Sequence, residues 1–180
     1  VSRRGPPPIL AFSGASGAGK TRLLVRLLPR LRARGLRVCA LKHTGHAHAL
    51  DRRGRDTERL RRAGALAAAI EGPGGLALFG PAAGGARAMA RLLPPCDLVV
   101  AEGFRSEPLP RVEVRRRAVD PGWLCARDRR VLAVVADEPP PRALPCFGAG
   151  EVEALADFVA AFARGGRAAR RARGRIRQRR

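Results

Sequence analysis

Residues 12–23 read FSGASGAGKTRL. Five small residues follow Ser13, then come Gly19 and Lys20, one of only two lysines among 36 basic residues. Gly14 to Thr21 fit the pattern G-x-x-x-x-G-K-[ST]. A loop of small residues can turn several backbone N–H groups into one cavity that holds phosphate oxygens. A helix opening behind it adds its positive end. A compact, mobile ammonium reaches between β- and γ-phosphates where a broad guanidinium fits badly. The following hydroxyl is suited to Mg²⁺. In a chain of this composition the pattern arises by chance about once in a thousand sequences. The expected phosphate-binding residues are therefore Gly14, Ala15, Ser16, Gly17, Ala18, Gly19, Lys20 and Thr21, with Thr21 also a metal ligand.

Outward from that loop the chain alternates short apolar runs with helical patterns, which implies an α/β fold. PILAFS (8–13) predicts a buried strand. Leu23, Leu24, Leu27, Leu28 and Leu31 predict one face of a helix, kinked at Pro29 and ended by Gly35. Further strands are predicted at 36–42, 66–70, 76–80, 97–103, 110–116 and 131–138, and helices near 56 and over 83–93. PRVEVRR (110–116) alternates like a half-exposed strand. Val152, Leu155, Ala156, Val159 and Phe162 predict a last amphipathic helix. The domain is expected to span 1–163, with 164–180 an arginine-rich disordered tail.

The chain has 180 residues, of which 46% are apolar, enough for a folded domain. No apolar run reaches membrane-span length, and the four-residue run in VSRRGPPPILAFSG does not make a signal peptide. Cys39, Cys96, Cys125 and Cys146 have no metal-site spacing and are expected to be reduced thiols of a cytosolic protein. Arginine over lysine suggests a GC-rich genome but does not explain 36 basic against 15 acidic residues. Nine arginines fall in 164–180 with no aromatic between them to stack on bases, so nucleic acid is not the expected partner.

Strand C-termini line the ligand crevice of a parallel α/β sheet. Lys42 ends one predicted strand, and Glu102 ends another, where it could serve the Mg²⁺ shell directly or through water. Asp56 either caps a short helix or reaches the same metal. His43, His46 and His48 lack a complementary partner for a transition-metal site. Asp137 ends a buried strand in a chain without asparagine, and so without NKxD. Its carboxylate could accept from guanine N1–H and N2–H₂ together, which adenine cannot offer. Arg105 is the arginine best placed to approach a γ-phosphate.

FSGASGAGKT (12–21), LKHTGHAHALDRRGRDTERLRRAGA (41–65), DLVVAEGFRSEPLPRVEV (97–114) and AVVADEP (133–139), in that order, resemble the MobB family of molybdopterin-guanine dinucleotide biosynthesis adapter proteins. The likeness covers about residues 8–163. It implies a P-loop, three-layer α/β fold with a mainly parallel sheet, GTP and Mg²⁺ as ligands, weak GTP hydrolysis and a homodimer. It also implies cooperation with a MobA-type guanylyltransferase that joins GMP to molybdopterin, with molybdopterin a further candidate ligand. The family's site residues carry over to the phosphate loop, to Lys42 and His43, to Asp56 and Thr57, and to Glu102. Arg55 and Arg105 stand where the family often has lysine, and the second histidine is shifted to His46. Two rival readings are a small-molecule kinase, which lacks a clear lid segment here, and a nucleic-acid-binding NTPase that uses the basic tail.

Overall fold

The computed structural model describes residues 6–44, 51, 53–120 and 122–177, with side chains as far as residue 165. His46 and His48 lie outside the described residues. The chain divides into two compact units, one of residues 1–43 and 85–180, the other of 44–84.

The larger unit holds a six-stranded sheet, in which β1 is Ile9–Ser13, β2 Val38–Lys42, β5 Leu98–Glu102, β6 Arg111–Val114, β7 Val131–Val135 and β8 Cys146–Phe147. The strand order is β2-β5-β1-β6-β7-β8, and every pairing is parallel. Parallel strands need crossovers and are buried on both faces, which accounts for their short, continuous apolar runs. The expected mainly parallel sheet is thus present. The two-residue β8 has no periodic signal in the sequence and was not expected.

One face of this sheet carries helices α1 (Lys20–Ala33) and α4 (Val152–Arg177). Leu23, Leu24, Leu27 and Leu31 of α1 pack with Leu155 and Val159 of α4 over Leu10, Phe12, Val100 and Val112. Pro29 does not break α1. The carbonyl that its missing N–H would have bonded belongs to Val25, on the exposed side of the helix, where water can serve it. Beyond the C-cap Arg34, Gly35 N–H donates to Arg32 O and Leu36 N–H to Leu31 O. That is a Schellman closure, with Leu36 and Leu31 in one core cluster. The backbone of α4 stays helical past 163 to Arg177, through a segment rich in the good helix formers alanine and arginine.

The opposite face is covered partly by α3 (Ala86–Ala90), shorter than the expected 83–93 because Gly85, at φ 105, immediately precedes it. Glu107 Oε1 accepts from Ala86 N–H at 2.8 Å and holds the start of that turn. Near β6 and β7 this face is covered by loops. Here the half-exposed reading of 110–116 is corrected: all four residues of β6 are buried. The alternation is real, but Val112 and Val114 enter the helical core while Arg111 and Glu113 are fully buried on the loop side. A layer of loops presents unpaired backbone groups to the sheet, and charged side chains can satisfy them.

The second unit contains α2 (Asp56–Arg62) and an antiparallel hairpin of β3 (Ala68–Gly72) and β4 (Gly75–Phe79), joined at Gly72 and Gly75. The strand runs expected at 66–70 and 76–80 thus pair with each other and not with the parallel sheet.

Candidate nucleotide site

The phosphate loop leaves β1 at Ser13 and enters α1 at Lys20, as expected. Gly14 cannot be replaced without a shift: a Cβ there would lie 2.0 Å from Val114 O of β6. Gly19 sits at φ 88, a left-handed backbone that L side chains rarely adopt, and Leu23 N–H already bonds back to its carbonyl at 2.9 Å. Lys20 Nζ donates to the loop's own carbonyls, Ala15 O at 2.7 Å and Gly14 O at 3.1 Å. Burial lowers the Lys20 pKa, the nearby charge of Lys42 adds to this, and Glu102 and Asp120 oppose it.

Three strand ends converge beside the loop. Lys42 and Phe12 are both register partners of Glu102. Thr21 Oγ1 donates to the Glu102 carboxylate, with its two oxygens at 2.7 and 2.8 Å, and Lys42 Nζ lies 3.7 Å from Oε1. The structure therefore joins the hydroxyl and the strand-end acid that the sequence assigns to one metal shell. His43 N–H donates to Glu102 O at 2.9 Å, and its ring packs 5.2 Å from Phe104. Phe104 is a buried non-glycine residue with φ 50, an unfavourable backbone held by its place among Ala101, Leu109 and Ala86. Gly103 N–H bonds Phe12 O at 3.1 Å, so this turn is tied directly to the end of β1.

The family model described as molybdopterin guanine dinucleotide synthesis protein B (MobB) matches residues 9–137. The chain belongs to the MobB family. It is 35% identical over 160 residues to the molybdopterin-guanine dinucleotide biosynthesis adapter protein of Escherichia coli K12, covering 84% of this chain and 91% of that one. The Haemophilus influenzae protein of the same name is 32% identical over 162 residues, 84% of this chain and 87% of its own length. A crystal structure of molybdopterin-guanine biosynthesis protein B superposes with TM-score 0.64 at 29% identity, over 87% of this chain and 99% of the other.

Two other expected residues of the larger unit do not join these contacts. Asp137 lies two residues past β7 and is exposed. Arg105 is exposed, and its carbonyl accepts from Arg111 Nη1 at 3.0 Å. Asp56 belongs to the second unit, where it is exposed and 3.8 Å from Arg59. It occupies the first turn of α2, where its charge suits the helix dipole, but it makes no cap: the N-cap is Arg55. Thr57 Oγ1 donates to Asp51 at 2.9 Å, and Asp51 also pairs with Arg61 at 3.4 Å.

The residues missed in the sequence are the charges of β6. Arg111 donates to the carbonyls of Arg105, Glu107 and Leu109, reaches Ser13 Oγ at 3.4 Å, and pairs with Asp128 at 3.2 Å. Burial lowers its pKa, partly offset by Asp128. Glu113 accepts from Leu124 N–H and Cys125 N–H, both at 2.7 Å. One signal was available: Arg111, Glu113 and Arg115 recur at i, i+2, i+4, all on one strand face.

Proposed function

We propose that the protein is a GTP-binding adapter that supports attachment of GMP to molybdopterin, working in the cytoplasm with a MobA-type guanylyltransferase and as a homodimer. The observation that carries the nucleotide part is the convergence of Lys20, Thr21, Lys42 and Glu102 beside the glycine loop. The adapter part rests on membership of the family. Mg²⁺ fits the oxygen donors present: a hydroxyl and a carboxylate, few enough that phosphate and water complete the shell. Thr21 and Glu102 would hold it, and bound Mg²⁺ would neutralise charge on the phosphates. Lys20 exchanges its loop carbonyls for phosphate oxygens, which offer stronger charge-assisted bonds. Lys42 adds positive charge to the same edge, and His43 is a further contact for the nucleotide. Asp137 reads guanine. Hydrolysis is slow, with Arg105 the arginine nearest to that task.

The test is a titration of the full chain with GTP, ATP and GDP, with and without Mg²⁺, beside Lys20→Ala. GTP should bind preferentially, EDTA should weaken it, and Lys20→Ala should abolish it with the fold intact. Near-normal GTP affinity in folded Lys20→Ala sinks the nucleotide reading. The adapter reading predicts that added protein raises molybdopterin-guanine dinucleotide formation by a MobA-type enzyme; an unchanged yield sinks it.

A further inference from the structure

The last charge of the β6 face has a different set of partners. Arg115 follows β6 directly, and its backbone N–H continues the sheet pairing to Val135 O at 2.9 Å. Its buried guanidinium reaches Glu138 Oε1 through Nε at 3.0 Å and Nη2 at 2.9 Å. Nη1 donates to Asp120 O at 3.1 Å and lies 3.5 Å from Gly122 O. The guanidinium plane also sits 4.4 Å from the ring centroid of Trp123. One side chain thus ties the segment after β6 to the segment after β7.

The first of these segments borders the phosphate loop. Residues 116–120 form a turn in which Val119 and Asp120 N–H both bond Arg116 O. Val119 Cγ1 is 3.8 Å from where a Cβ on Gly17 would lie, so this turn rests against the phosphate loop. Asp120 is close enough to Lys20 for its charge to be felt there. On the other side, Glu138 is the immediate neighbour of Asp137, the residue proposed to read guanine.

We infer that Arg115 is a positioning residue for base discrimination: by clamping Glu138 to the 116–120 turn, it fixes Asp137 relative to the phosphate loop. This rests on the guanine-nucleotide reading above. An exposed carboxylate on a free loop accepts equally from many donors, and selects guanine only if its distance from the held phosphates is set. Arginine is the residue for the task, since its fork bonds a carboxylate and two carbonyls at once while its face stacks on an indole.

The experiment is a calorimetric titration of the full chain with GTP and with ITP, in Mg²⁺, beside Arg115→Gln, Glu138→Ala and Lys20→Ala. ITP keeps N1–H and lacks the guanine amino group, so its affinity relative to GTP reports how well Asp137 is placed. The wild-type chain should prefer GTP by at least about tenfold, and both clamp variants should lose most of that preference. Lys20→Ala should abolish binding of both nucleotides. A purely structural role for Arg115 would weaken both alike, so a folded Arg115→Gln with the wild-type preference overturns the inference. If Arg115→Gln does not fold, an unchanged preference in Glu138→Ala overturns it. That result, with Lys20-dependent GTP binding intact, leaves the nucleotide reading standing. Absence of GTP binding by the wild-type chain removes both.

Discussion

The two faces of the central sheet are covered in different ways. On one, α1 and α4 lay leucine, valine and alanine over β1, β5 and β6. The helices bond their own backbones, so the contact can be wholly apolar. On the other, near β6 and β7, the cover is loop, with a small apolar cluster of Cys125, Val131, Val134 and Ala136. The loops bring unpaired N–H and C=O groups, and Arg111 and Glu113 bond them from the strand. The contrast teaches that the buried charges of β6, Arg111 and Glu113, stand on the face that loops cover. It also places the polar layer next to the candidate nucleotide site, since Arg111 holds the carbonyls that follow Phe104.

The largest effect that could break this comparison comes from Arg111→Met. It leaves Asp128 buried with less compensation and takes the Arg111 donors from the carbonyls of Arg105 and Leu109, while Glu107 O keeps Leu109 N–H at 2.8 Å. We expect a loss of about 3–5 kcal/mol in urea unfolding. Leu27→Ala, on the helical face, should cost about 2–5 kcal/mol by leaving a cavity. If Arg111→Met proves much milder than Leu27→Ala, the loop layer is held by its apolar cluster and not by charge.

Glu113→Gln sharpens the point locally. It leaves one acceptor oxygen for two buried N–H groups, with an expected cost of about 1–3 kcal/mol. Cys125 offers a reporter: its buried thiol is pushed up to about 11, by burial first and by the Glu113 charge next. It should resist alkylation in the native protein and react much faster in Glu113→Gln, while Cys146, which is exposed, reacts in both. Equal protection of Cys125 in the two proteins would show that the carboxylate does not hold this turn.

A smaller effect is expected with pH. Burial raises the Asp128 pKa, but hydrogen bonds from Arg130 and the charge of Arg111 outweigh it and hold it below the usual 3.8. A depressed carboxylate stabilises the fold above its unfolded pKa and loses that contribution as pH falls through the folded value. The stability gap between wild type and Asp128→Asn should therefore be constant near neutrality and narrow below about pH 4. A gap that stays constant down to pH 2 removes Asp128 from the network. The smallest effect is expected from Val25→Ser on the solvent side of α1, within about 0.5 kcal/mol in the same urea assay. A larger loss would mean that this side is covered in solution.

The sequence by itself determined the phosphate loop, the helix stripes and the strand ends at Lys42 and Glu102. Each is carried by local order: a motif within eight residues, a 3.6-residue period, or a short apolar run. It also placed Asp56, without telling a capping residue from one that is merely first in its helix. Tertiary structure alone decided that 68–72 and 75–79 pair with each other, because a short apolar run does not name its partner. It alone decided that β6 is buried on both faces. Alternation reads as one wet face unless something covers it, and the cover here is a loop without periodicity. The partners of Arg111, Glu113 and Arg115 lie between 2 and 98 residues away in the chain, so only folding brings their charges together.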